Sequence, residues 1–313
     1  MRQAMMNDFA AASKATMQFL RQRLGFKLWM VTRTDGKDWI VLFADDHGYG
    51  VKAGQVYSWA ETLCSRMVEG QGPHIAPDVA SEPAYAQAPI TDKITVGAYV
   101  GVPLRRADGT LFGTLCAIDP EPQPERIRED KDMVVLMGEL LGGLLEAELA
   151  STEAARKAER MDVDITRDEL TGLYNRRGWD MLMVREDERC RRYGHPACVV
   201  SIDLDDLRFY NDTQGYASGD ALLIRCSKAL KEVTRGSDVV ARMGGDEFAM
   251  LMVECDYFDA QAMLLRVQET LAGYDVRASI GMAMRKPGID LEEALAIADA
   301  EMYRAKRSRK VLN

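Results

Sequence analysis

Two β-prone runs split by a pair of glycines constrain this chain more than any other feature. Val239 to Ala241 and Phe248 to Met252 flank Gly244-Gly245, a pattern that predicts a tight hairpin. Asp246 and Glu247 follow at once, placing two carboxylates at the tip, where glycine lets a bulky phosphate approach the backbone. Upstream, Ala197 to Asp203 reads as an apolar strand closed by a carboxylate. An acid at the end of a buried strand stands where α/β proteins place ligands. Helix capping explains Asp205 or Asp206, but not Asp203. Three acids on adjoining strand ends make a hard oxygen site suited to Mg²⁺ with substrate phosphates. Alone, Gly-Gly-Asp-Glu would be merely an acidic hairpin; its pairing with Asp203 argues against that.

Length and composition set the frame. The 313 residues suggest two domains, and 47% hydrophobic with 28% charged content is that of folded protein. A net charge of −9 and a pI near 5.1 argue against a broadly basic nucleic-acid surface. The cysteines form no CxxC pair and the histidines are scattered, which predicts reduced thiols and no zinc site. Met1 to Lys14 lacks an apolar targeting core, and Met133 to Ala150 carries Glu139, Glu146 and Glu148. The expectation is a cytoplasmic protein with neither a membrane nor a nucleic-acid partner.

From Asp8 to Ile118 the pattern alternates. Ala10 to Leu24 and Tyr57 to Val68 read as helices; Lys27 to Thr34, Trp39 to Ala44, Ala98 to Leu104 and Leu111 to Ile118 read as strands. Turns at Asp35-Gly36 and Asp108-Gly109 imply an antiparallel sheet in an α+β domain. Pro77-Asp78, Gly101-Val-Pro-Leu104, Asp108-Gly109 and Gly113 to Asp119 make this zone resemble a GAF domain. That family senses small ligands or dimerises. Cys64 and Cys116 read more readily as buried thiols than as a redox switch or chromophore anchor, since Cys64 precedes Ser65 where bilin-binding domains have histidine. His74, beside Pro73, reads as a loop residue rather than a haem ligand.

A helical pattern follows from about Arg126. Met133, Met137, Leu140, Leu144, Ala147, Ser151, Ala154, Ala158, Met161 and Ile165 fall at heptad spacing, which predicts a coiled coil and a parallel dimer. Gly138, Gly142 and Gly143 weaken it, and a long helix packed on its own domain is the competing reading.

The last zone resembles a GGDEF domain, the diguanylate cyclase module. The resemblance rests on Asp168 to Arg177, Asp203 to Asp220, Gly244 to Phe248, Ser279-Ile-Gly281 and Ala298 to Lys306, in that order. It implies the ferredoxin-like sheet of nucleotide cyclases and condensation of two GTP into cyclic di-GMP and two pyrophosphates. Asp203, Asp246 and Glu247, with the Leu204 carbonyl, would hold Mg²⁺, with Mn²⁺ a second candidate. Asn211 and Asp220 would bind guanine, while Arg208, Lys306 and Lys310 would meet phosphates. Arg235 and Asp238 match the RxxD motif by which this family binds its product and is inhibited, and Arg266 joins them from the next helix.

The pattern departs at Arg208 for lysine, Tyr216 for histidine, Leu207 for phenylalanine, and Arg309-Lys310 for Gly-Arg. None removes a metal or guanine contact. The sequence thus predicts a GAF sensory domain over 1–125, a helical coiled-coil linker over 126–165 and a cyclase domain over 166–313. The expected protein is a homodimer held through the linker helix and GAF domain. The alternative is a non-catalytic cyclic di-GMP receptor acting through Arg235 and Asp238.

Overall fold

Asp8 starts the first helix, α1 (Phe9–Leu24), by accepting the Ala11 N–H at 2.8 Å. The computed structural model describes residues 8–161, 166–286 and 288–312, without the side chains of 161 and 309–312. The chain divides into two units, Met1–Ala155 with Arg192–Gly194, and Arg156–Arg191 with His195–Asn313.

In the first unit, β1 (Leu28–Thr34) and β2 (Asp38–Asp46) form a hairpin, and β3 (Val56–Ser58) extends it. After α2 (Leu63–Val68), β4 (Ile75–Ala76) and α3 (Pro83–Ala86), a second hairpin pairs β5 (Ala98–Arg105) with β6 (Leu111–Asp119). The antiparallel sheet has the order β3-β2-β1-β6-β5-β4. Phe9, Met17 and Leu20 of α1 join one core with Val31, Val102 and Leu115; Leu63 and Cys64 of α2 join another with Met30, Tyr99 and Cys116. Alternating side chains of β1, β5 and β6 serve both cores, which is why these strands read as continuously apolar.

Tyr57 to Val68 is not the single helix expected. Tyr57 pairs with Trp39 at the sheet edge, Trp59–Glu61 makes one 3₁₀ turn, and α2 begins only after Thr62, whose hydroxyl accepts the Ser65 N–H at 3.1 Å. Edge pairing and burial of Trp59 override the helical spacing.

The long helix α4 (Lys131–Met161) follows 3₁₀ turns over Glu125–Asp130. It carries two stripes. Val134, Leu141, Leu145 and Leu149 are buried in the first unit's own core. Of the heptad seam, Met133 and Leu144 pack half-buried against that same core, Met137 is half-buried, Leu140 is 60% exposed, and Ala147, Ser151, Ala154 and Ala158 are exposed. Ile165 lies outside the described residues, as does the side chain of Met161.

The second unit continues with α5 (Arg176–Tyr193), β7 (Ala197–Leu204), α6 (Leu207–Gln214) and α7 (Tyr216–Val233). Then come the hairpin β8 (Val239–Gly244) and β9 (Glu247–Val253), α8 (Tyr257–Gly273), β10 (Ala278–Met284) and α9 (Leu291–Leu312). The antiparallel sheet order, β10-β7-β9-β8, combined with this β-α-β-β-α-β succession, is the ferredoxin-like arrangement. Gly281 lets α9 lie close on the sheet, since a Cβ there would collide with the Ala298 carbonyl. The final turns of α4 are bolted to this unit by ion pairs. Buried Arg156 meets Glu186 at 2.7 Å and Glu254 at 2.7 Å, and Glu159 meets Arg189 at 2.7 Å. Among the described residues no helix is long and apolar enough to cross a membrane.

Candidate active site

The central strand β7 carries Asp203 to the sheet's end, where it is directly opposite Glu247 on β9 and Ser279 on β10. The register follows from burial: β7 is covered throughout, so a shift would drive its terminal acid into the core. Asp203 is itself only 7% exposed. Burial raises its carboxyl above the usual aspartate range, Asp246 and Asp205 push the same way, and Lys306 opposes them. Lys306, reaching from α9, donates to Asp203 Oδ1.

The hairpin tip is fastened from both sides. The Leu204 N–H donates to the Asp246 carbonyl at 3.1 Å, tying β7 to the turn. Arg242 donates to the Gly245 carbonyl at 2.8 and 3.0 Å and reaches Asp168 at 3.3 Å. Asp168 also accepts the Thr171 N–H and hydroxyl, which together with Arg242 keep its carboxyl below the ordinary value despite burial. The tip thus presents Asp246 half-buried and Glu247 exposed. Asp168 opens an ordered motif that gives it no task, and Arg242 lies outside those motifs; only their meeting in space shows that they brace the turn. Asp205 is likewise no helix cap: it accepts the Ser279 hydroxyl at 2.6 Å. Asp206 occupies the N-cap of α6 without a side-chain capping bond.

Asn211 on α6 and Asp220 on α7 stand on consecutive helices between which Gly215 turns the chain. The Asn211 side chain lies against Gly219, in space a Cβ there would occupy. Asp220, the next residue, is exposed. Arg208 is not gathered onto the acids; its side chain is 95% exposed and pairs with Asp212 at 3.5 Å. The Lys310 side chain lies outside the described residues. Leu207, in place of an aromatic, packs half-buried against the core.

At the other end of β8, Arg235, Asp238 and Arg266 line one cavity of about 220 Å³ with Met252, Cys255 and Asp259. Asp238 is 9% exposed and accepts the Arg235 N–H at 2.9 Å, closing the loop on itself. Burial raises its carboxyl. Arg160, in the last turn of α4, donates to the Gly236 and Ser237 carbonyls of that loop.

A divalent ion fits the donor set. No preassembled group of three or more metal-ligating side chains occurs among the described residues. Asp246 nevertheless acts electrostatically on Asp203, beside the Leu204 backbone. Mg²⁺ characteristically takes one or two carboxylates and completes its shell with substrate phosphates and water.

A ferredoxin-like domain with an acid-tipped hairpin, following a GAF-type sheet domain, defines a class. Residues 165–311 match the family described as diguanylate cyclase, GGDEF domain, and residues 8–147 match the GAF domain family. The chain belongs to the GGDEF family, with a GAF domain preceding the GGDEF domain. It is 35% identical over 184 residues to the probable diguanylate cyclase DgcC of Escherichia coli K12, covering 56% of this chain and 49% of that protein. It is 26% identical over 264 residues to diguanylate cyclase DgcP of the same strain, covering 81% and 76%. An uncharacterized 19.3 kDa protein of Streptomyces ambofaciens is 37% identical over 152 residues, 46% of this chain and 80% of that one. The chain therefore spans about half the length of DgcC. Among solved structures it is similar to the GGDEF domain of DgcB from Caulobacter crescentus in complex with c-di-GMP, at 27% identity and TM-score 0.45, covering 46% of this chain and 92% of that one.

Proposed function

We propose that this protein is a diguanylate cyclase, joining two GTP molecules into cyclic di-GMP with release of two pyrophosphates. The observation that carries this reading is the meeting of Asp203, Glu247 and Lys306 at one sheet end, beside the Asp246 turn. Asn211 and Asp220 bind guanine, whose N1–H and N2–H₂ donors suit a carboxylate acceptor. Asp203, Asp246 and Glu247, with the Leu204 carbonyl, hold Mg²⁺ or Mn²⁺. When bound, the ion neutralises charge on the transferring phosphate and eases loss of the hydroxyl proton. Lys306 turns its ammonium to the phosphates, and Lys310 follows four residues on along α9. Arg208 serves the outer phosphates from its exposed position.

In each half-reaction the 3′-oxygen of one GTP bonds to the α-phosphorus of the other, and the bond to the pyrophosphate oxygen breaks. Each domain holds one GTP, so two copies face each other as a homodimer through the exposed seam of α4 and the GAF domain. The division of labour is a sensory domain over 1–125, a linker over 126–165 and a cyclase over 166–313, in the cytoplasm. Product binds at Arg235, Asp238 and Arg266 and inhibits.

Incubating the purified chain with GTP and Mg²⁺ and identifying products by mass spectrometry tests the reading. Cyclic di-GMP that disappears with Glu247→Gln is the expected result. Cyclic di-GMP binding that depends on Arg235, without turnover at any protein concentration, replaces the enzyme with a receptor.

A further inference from the structure

The GAF unit encloses a cavity of about 100 Å³ against the α2 face of its sheet. Half-buried Tyr49, Val51 and Ile94 line its outer part, while Cys64, Tyr99 and Cys116 are buried within it. No charged side chain lines it, so a nucleotide or a haem propionate finds no partner. Its volume admits a few heavy atoms; an apolar cavity of about 150 Å³ holds one benzene.

The floor is chemically unlike the walls. Cys64 Sγ accepts from the Tyr99 phenol and from the Thr114 hydroxyl, each at 3.4 Å. Cys116 lines the same cavity and belongs to the same core, and its thiol acts on that sulfur. These two cysteines come from α2 and β6, far apart in sequence, and face each other because both point into this core.

The other four cysteines show what burial alone does. Cys190, Cys198, Cys226 and Cys255 are each pushed up to about 12 by burial. Burial acts on Cys64 in the same direction, but the hydrogen bonds from Cys116, Thr114 and Tyr99 bring its thiol below the ordinary value. Cys116 is raised by burial and by Cys64. Burial also holds the Tyr99 phenol well above its usual range, so it stays a donor. The result is an attacking sulfur beside a protonated partner.

We propose that Cys64 and Cys116 form a two-electron redox couple that reacts with small neutral peroxides entering this cavity. The Cys64 thiolate attacks one peroxide oxygen, the O–O bond breaks, and the departing hydroxide takes a proton to become water. The sulfenic acid on Cys64 is then attacked by the Cys116 sulfur; the S–S bond forms, the S–O bond breaks, and the Cys116 proton leaves in a second water. Two thiols are oxidised and one hydrogen peroxide is reduced to two waters. This goes beyond the cyclase reading and stands without it.

Native full-length protein exposed to hydrogen peroxide and digested without reductant provides the test. The expected product is a Cys64–Cys116 cross-linked peptide, with Cys190, Cys198 and Cys226 remaining thiols. Cys116→Ser stops at a sulfenic acid on Cys64 that dimedone captures, and Thr114→Val slows Cys64 oxidation about tenfold, the effect of roughly one unit in thiol acidity. The wild-type measurement needs no substitution, so a variant that fails to fold does not remove the test. A native protein whose Cys64 and Cys116 both stay reduced, or that cross-links only when unfolded, overturns the proposal. So does oxidation of Thr114→Val at the wild-type rate.

Discussion

Lys306, on the C-terminal helix, donates to Asp203 at the end of the central strand. The two residues are brought together by α9 lying on β7 and β10, and each shifts the other's ionisation. Lys306 pulls the Asp203 carboxyl down against burial, while Asp203 raises the Lys306 ammonium although burial lowers it. The ionised carboxylate is the form that holds a cation. On the cyclase reading, protonation of Asp203 sets the acid limb of GTP turnover. Lys306→Met removes the opposing charge and moves that limb to higher pH, with a weakened KM for GTP. A pH–rate profile that leaves the limb in place refutes the coupling. Asp203→Asn lowers kcat/KM by about a hundredfold or more, whatever the Mg²⁺ concentration.

Arg242 clamps the hairpin tip through the Gly245 carbonyl and Asp168. Arg242→Ala frees the turn that orients Asp246 and Glu247, so kcat falls about tenfold or more with KM little changed. Lysine restores only part, because it lacks the planar fork that grips one carbonyl with two N–H groups. Steady-state kinetics on Arg242→Ala, Arg242→Lys and Asp168→Asn check this; equal rates for the alanine and lysine variants count against it.

Gly219 makes room for Asn211. Gly219→Ala drives the amide out of place at a cost of about 1–3 kcal/mol. The expected outcome is a KM for GTP raised about tenfold, with the thermal midpoint of the cyclase unit shifted only by the packing strain. Isothermal titration with a non-hydrolysable GTP analogue separates the two effects.

Arg156 is 4% exposed and paired with Glu186 and Glu254. Arg156→Ala leaves a buried carboxylate with less compensation and costs about 3–5 kcal/mol of stability. The pH dependence has a definite sign. Hydrogen bonding and charge from His195 and Arg156 lower the Glu254 carboxyl far below its usual range despite burial. A depressed folded-state value stabilises above the unfolded value of about 4.3 and loses that contribution as pH falls below it. Thermal melts between about pH 6 and 3 therefore show a steeper decline in wild type than in Glu254→Gln.

The placement of three carboxylates, Asp203 at a strand end and Asp246 and Glu247 at a hairpin tip, was legible in the chain itself. An apolar strand ending in Asp203 and a Gly-Gly hairpin carrying Asp246 and Glu247 have few ways to fold, because the strand period and the turn chemistry are local. The GAF strands were legible for the same reason, as continuous apolar runs with Asp-Gly turns. What escaped was set by partners distant in sequence. Tyr57 became an edge strand because Trp39 pairs with it, and α4 buried Val134, Leu141 and Leu145 while leaving Leu140 and the small residues of the heptad seam outward. The tasks of Arg242 and Asp168 and the exposure of Arg208 belong to the same class. So does the meeting of Cys64 with Cys116, since helical and strand periodicity place each thiol in a core without saying which thiol it meets. Local backbone preferences determined which residue types stand at strand ends and turns; only the packed sheet, which brings β7, β9 and α9 to one edge, decided their neighbours and hence their charge states.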